Sequence, residues 1–185
     1  MEIIDQKMGC YLLENKRIED IRGWFSVALN VEQVHALNLD FKEVVQLNHS
    51  YTKEEGVVRG PNYQLAPFQQ AKIVRCIRGK LYSVAVDLEE ESETYGKWCG
   101  FILDSKESKM MYIPRTYAHG FISLTENTEL EYFTDEKYDH SRAKSFRFDD
   151  QKIGIDWTLG GKVKLNPDIL SDKNRYAPSF EKREK

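Results

Sequence analysis

Hydrophobic and polar positions along this chain alternate with the two-residue period of strands far more than with the 3.6-residue period of helices. Two β-rich runs, Ala71–Ile77 and Leu81–Asp87, flank Arg78, Gly79 and Lys80, and a glycine between such runs signals a hairpin. Short runs follow at Trp98–Leu103, Lys109–Ile113, Gly120–Leu124 and Glu129–Phe133, separated by polar or Gly/Pro/Asn segments. Upstream, Trp24–Ala28 and Val44–Asn48 have the same character. Between them Asn30, with Gln33 three residues on, is placed to cap a short helix over Val31–Leu37. Asp168–Ser171, after Pro167, reads as a loop or short helix. Short strands at regular spacing predict an all-β sandwich or barrel with short peripheral helices, and the lack of strand–helix alternation argues against a doubly wound α/β fold. No repeat, low-complexity tract or linker divides the 185 residues. One domain over 1–185 is expected, with a barrel core over about 20–160 and a C-terminal segment over about 161–185 packed on it. The closing charge run at 181–185 reads as a frayed tail.

Composition sharpens this picture. An apolar share of 41% against 31% charged argues for a folded chain able to bury a core without staples. Ten Tyr and nine Phe lean toward strands and a ligand pocket. A net charge of −3 gives no support to a nucleic-acid surface. No apolar run reaches the roughly 18–20 residues that span a bilayer, and the acidic start lacks a long apolar stretch, so no signal peptide and no membrane association are expected. Cys10, Cys76 and Cys99 are odd in number and far apart in sequence, which predicts reduced, buried thiols in a cytoplasmic protein.

Candidate chemistry lies in polar residues set among apolar strand positions, because a charge carried into a barrel interior must be satisfied there. Lys72 shares a face with Val74 and Cys76, and Arg59 sits between a β-branched pair and a Gly-Pro turn. His119 lies between Pro114 and a following glycine, and Tyr132 and Tyr138 stand six residues apart. Taken singly, each has an ordinary structural reading as a solvated, paired or packed residue. His35, His49, His119 and His140 include no His-x-His pair, so no metal is expected. Phosphate-binding glycine loops and the nucleophile elbow of hydrolases are both missing.

In order along the chain, these segments resemble the dTDP-4-dehydrorhamnose 3,5-epimerases. They are DIRGWF at 20–25, QLNHS at 46–50, GVVRGPNYQ at 56–64, QAKIVRCIRGKLYSVAVDL at 70–88, TYGKW at 94–98 and YIPRTYAHGFISL at 112–124. Tyr132 to Tyr138, IGIDW at 153–157 and ILSDK at 169–173 complete the series. The resemblance implies a cupin-like jelly-roll barrel, a homodimer, no cofactor and a nucleotide-linked 4-keto-6-deoxy sugar as substrate. In that chemistry a ketone acidifies the neighbouring C–H bonds, a base removes a proton, and an acid returns one to the other face. The resemblance makes Lys72 the cation that holds the enolate oxygen and Tyr132 the acid. It puts Arg59 and His119 along the sugar and phosphate pocket, and matches Arg22, Phe25, Gln46, Asn48 and Tyr138 to positions that bind nucleotide or pyrophosphate.

The departures bear on activity. Where the family has a basic histidine in RGLHxQ, this chain has Asn62. Where LSxKD supplies the aspartate that orients it, Asn174 stands, with Asp172 nearby, and Val27 replaces a glutamate after RGxF. A carboxamide has no useful proton-transfer equilibrium near neutrality, whereas an imidazole has. Two readings follow. One is an epimerase with altered chemistry, inverting one carbon or using Tyr132, His119 or a water as base. The other is a barrel that binds a nucleotide sugar without catalysis.

Overall fold

In the computed structural model, which describes residues 1–180, two antiparallel sheets face one another. The N-terminal hairpin pairs β1 (Glu2–Lys7) with β2 (Cys10–Glu14). A second, exposed hairpin pairs β3 (Ile18–Asp20) with β4 (Gly23–Phe25) and leads to α1 (Val31–Ala36). Then come β5 (Gln46–Thr52), β6 (Val58–Gln64), β7 (Lys72–Arg78) and β8 (Lys80–Asp87). These are followed by β9 (Trp98–Asp104), β10 (Lys109–Ile113), β11 (Tyr117–Ser123), β12 (Thr128–Thr134) and β13 (Ala143–Ser145). One sheet runs β1-β2-β10-β7-β12-β5 and the other β13-β6-β11-β8-β9. This is the all-β barrel expected from the strand spacing, in the jelly-roll form that the family resemblance implies.

The predicted helix forms as its cap requires: the Asn30 side chain accepts from the Gln33 N–H at 3.2 Å. The segment Asp168–Ser171 is not helical. Ser171 instead caps a single turn, α2 (Asp172–Arg175). The strand expected over Val44–Asn48 begins two residues later and runs to Thr52, and of Trp24–Ala28 only the first two residues are extended.

The hairpin expected around Gly79 is a correction. β7 and β8 follow each other but pair in different sheets, so the turn is a corner between sheets. Gly79 has φ +74°, and a Cβ there would meet Thr125 Oγ1 at 2.4 Å. Glycine is needed for a tight crossing, which a hairpin motif mimics in sequence.

Burial on two faces explains why β8 and β11 read as nearly continuous apolar runs. Between the sheets, Val74, Leu81, Phe101, Met111 and Phe121 form the barrel interior. Outside one sheet, Val34 of α1 packs with Phe41 and Ile73. Outside the other, Trp157 and Ile153 from the C-terminal region cover Val84 and Val86. All three cysteines are buried free thiols, as expected. No helix among the described residues is long and apolar enough to cross a membrane.

Candidate active site

A cavity of about 450 Å³ opens between the two sheets. Lys72 comes from β7, Tyr132 from β12, His119 from β11, and Arg59 and Asn62 from β6, and all five line it. Tyr138 lines it too, half-exposed beyond the end of β12, and Asn174 and Lys173 of α2 border it. The alternation of β7 sends Lys72, Val74 and Cys76 inward, and the register sets Tyr132 opposite Val74 and Thr134 opposite Lys72.

Asn62 lies three positions after Arg59, an interval that in a regular strand points them to opposite faces. A bulge resolves this. His119 pairs with Asn62 while Phe121 pairs with Arg59, so the one residue between them on β11, Gly120, faces two on β6, Gly60 and Pro61. The bulge contains the cis Gly60–Pro61 bond, and Gly60 has φ +91°. The stretch read from sequence as a Gly-Pro turn is therefore continuous strand. Arg59 is held against β5, with Nε donating to Thr52 Oγ1 at 2.9 Å and Nη2 to the Tyr51 carbonyl at 2.8 Å.

Lys72 is buried, and its Nζ donates only to the Gln70 carbonyl, at 3.3 Å. Burial pulls its pKa down to about 8 against the opposing field of Asp135. Asp135 itself is committed elsewhere, accepting from the Ala71 N–H and from Arg115. His119 is buried, with Nε2 3.0 Å from Ser83 Oγ. Burial, then the Lys72 charge, push its pKa down to about 3, so it is a neutral imidazole at physiological pH. Its ring lies edge-on to Tyr132, centroids 6.4 Å apart. Burial, then the neighbouring Tyr138, raise the Tyr132 phenol above its ordinary value, so it carries its proton.

Asn62 and Asn174 both border the cavity, but no hydrogen bond joins them. Asn174 grips the backbone of Gly60 instead: Nδ2 donates to the Gly60 carbonyl at 3.3 Å, and Oδ1 accepts from the Gly60 N–H at 3.5 Å and from Ser171 Oγ at 3.0 Å. The buried Oδ1 of Asn62 has no protein partner.

The remaining candidates do not join the cavity wall. Gln46 and Asn48 lie on the inward face of β5, bonded to each other at 2.5 Å, four and two residues respectively from Ser50, which does line it. Arg22 and Phe25 are on the exposed β3–β4 hairpin, where Arg22 pairs with Asp20. Three-residue strands on the outer side of a sheet cannot turn these side chains into the interior of their own barrel. Sequence reasoning missed Ser50, Lys173 and Ser83. The alternation of QLNHS, polar inward, signals the first; the others carry no local signal. Among the described residues no three His, Cys, Asp or Glu side chains are grouped to hold a metal ion.

A jelly-roll whose interior holds a buried lysine, a phenol and an imidazole around one cavity is a cupin-like barrel with an acid–base site in its interior. The family model for dTDP-4-dehydrorhamnose 3,5-epimerase matches residues 6–182, and the chain belongs to that family. The enzyme of that name from Sinorhizobium fredii is 36% identical over 169 residues, 91% of this chain and 84% of the relative. The crystal structure of the Bacillus anthracis enzyme, with TDP and PPi bound, superposes with a TM-score of 0.89 at 31% identity, covering 97% of this chain and 99% of that one. A 3'-monoepimerase from Streptomyces bikiniensis in complex with dTDP-quinovose gives a TM-score of 0.81 at 27% identity, covering 92% of this chain and 83% of that one.

Proposed function

We propose that this protein is an isomerase acting on a nucleotide-linked 4-keto-6-deoxy sugar in deoxysugar and polysaccharide biosynthesis, with chemistry altered from double epimerisation. The observation that carries this reading is the convergence of Lys72, Tyr132 and His119 on one cavity. A buried ammonium with a single carbonyl partner is an electrostatic device for an oxygen that gains charge in the transition state. The protonated phenol of Tyr132 supplies an acid on the opposite sheet's side of the cavity from Asn62. Arg59 and Tyr138 serve the pyrophosphate and nucleotide end, with Gln46 and Asn48 beyond them on β5.

Position 62 holds a carboxamide where the family has its basic histidine, and the imidazole left on that wall is His119. Inversion of one carbon, with His119 or a cavity water as base and the protonated Tyr132 as acid, fits this arrangement, and a structural relative bears the name 3'-monoepimerase. A specific observation favours the second reading, a binding barrel without catalysis: Asn174 is spent on the Gly60 backbone, so neither member of the family's base pair is positioned for proton transfer.

Deuterium wash-in at C3 and C5 of dTDP-4-keto-6-deoxyglucose, followed by NMR in D₂O, separates the two. Exchange at one carbon supports the altered isomerase. Exchange at neither, with the sugar nucleotide still bound, supports the binding barrel. Exchange at both at rates of roughly 1–10³ s⁻¹ removes the claim of altered chemistry.

The same proposal includes a single domain and a cytoplasmic homodimer. β5 is an edge strand whose outward residues Leu47 and Tyr51 are exposed, and Ile18, Ile21 and Phe25 of the β3–β4 hairpin are exposed as well. Exposed apolar groups on this scale suit a partner surface, and a second copy of the chain is that partner.

A further inference from the structure

We propose that Asn62 and Ser50 together read a hydroxyl group of the bound sugar, making the carboxamide at position 62 a specificity determinant in its own right. This rests on the sugar-nucleotide reading of the cavity and names what the cavity selects.

Two buried side-chain atoms among the described residues lack any hydrogen-bond partner, Ser50 Oγ and Asn62 Oδ1. Both residues line the same cavity. They come from facing sheets, Ser50 from the inward face of β5 and Asn62 from the bulged part of β6. Buried polar atoms are rarely left unpaired, and where they are, the gap is filled by water or ligand. An amide oxygen accepts only, so what fills it must bring a donor. The phosphate oxygens of a nucleotide are acceptors at neutral pH and cannot serve. A sugar hydroxyl both donates and accepts, and so satisfies either end of a carboxamide as well as a serine hydroxyl. Asn62 is set by register beside His119, whose ring abuts Tyr132, which is where the sugar rather than the nucleoside lies on the reading above. Ser50, two residues along β5 from Asn48, lines the same cavity from the other sheet, so the two unpartnered atoms border one cavity from its two walls. A site built to bond a hydroxyl rejects the analogue that lacks it, because its own polar atoms are then stranded.

Calorimetry with dTDP-glucose, its 2-deoxy and 3-deoxy analogues, and dTDP alone tests this on the wild type, Asn62→Leu and Ser50→Ala. The expected result is that the wild type binds dTDP-glucose about tenfold more tightly than one of the deoxy analogues. That gap should close in either variant, while affinity for dTDP stays within about twofold. Ser50→Ala removes a single atom and keeps the test open should Asn62→Leu fold poorly. A gap that persists in both variants, or no gap in the wild type, overturns the inference and leaves the sugar-nucleotide reading standing. Failure of the wild type to bind any of the four overturns both.

Discussion

At the scale of single residues, Lys72 and His119 divide one electrostatic problem between them. Two cations cannot share a dry cavity cheaply, and the imidazole yields: its pKa of about 3 against about 8 for the lysine leaves one positive charge at neutrality. The role of that charge is testable by sign. If Lys72 holds an enolate oxygen, deuterium exchange should fall as pH rises through about 8, because the cation is lost. A lysine acting as the base would make exchange rise over the same interval, so a rising limb sinks the oxyanion role. Asn174 invites a second prediction. Asn174→Asp keeps an acceptor for the Gly60 N–H but sets a carboxylate against the Gly60 carbonyl, where an N–H now donates. Loss of about 1–3 kcal/mol is expected in chemical denaturation. Restoring the family's base pair by Asn62→His with Asn174→Asp therefore competes with the backbone clamp. Unchanged stability in Asn174→Asp would show that the clamp contributes nothing.

At the scale of elements, the bulge in β6 is the device that brings Arg59 and Asn62 to one wall. It depends on Gly60: a Cβ there would lie 2.6 Å from the His119 carbonyl and 2.9 Å from Gly120 Cα, on a backbone with φ +91°. Gly60→Ala should cost about 1–3 kcal/mol and abolish binding of dTDP-glucose, read by melting and calorimetry. Full affinity in a folded Gly60→Ala would mean that the bulge is not what positions the two side chains. The bulge also marks a limit of sequence reading. Periods of two make Lys72, Val74 and Cys76 legible as one inward face, and the cap at Asn30 makes α1 legible to within a residue. A three-residue interval across a bulge has no period, so only the family likeness suggested that Arg59 and Asn62 belong together. Likewise the Gly79 corner carries the same letters as a hairpin, and which sheet β8 joins is decided by its pairing with β11 and β9 rather than by the turn. β5 is legible in the opposite sense: with polar residues inward and Leu47 and Tyr51 outward, it breaks the usual pattern at the two places where a ligand and a partner are proposed.

At the scale of the whole molecule, the proposed site draws on residues that one chain does not bring to its own cavity. Arg22 and Phe25, matched by likeness to nucleotide-binding positions, sit on an exposed hairpin while the cavity they should serve lies inside the barrel. In the proposed two-fold dimer the arm of one protomer would serve the neighbour's cavity and the neighbour's arm would serve the first. Such a dimer would place Arg22 of one protomer and Arg59 of the other around one pyrophosphate, where guanidinium groups bond bidentately. Complementation tests this. Arg22→Ala and Arg59→Ala should each weaken binding of dTDP-glucose as pure proteins. Mixed, unfolded and refolded together, about half of the dimers carry one of each chain, and each of these has one cavity with both arginines intact. Titration of the mixture should then show tight sites at about a quarter of the total, and sedimentation should show dimers throughout. No tight sites in a mixture that does sediment as dimers would mean that Arg22 and Arg59 serve the same cavity from the same chain, whereas tight sites at about half of the total, with Arg22→Ala unimpaired on its own, would mean that Arg22 serves none. A protein that sediments as a monomer would remove the dimer, and the exposed apolar residues of β5 and the hairpin would need another partner.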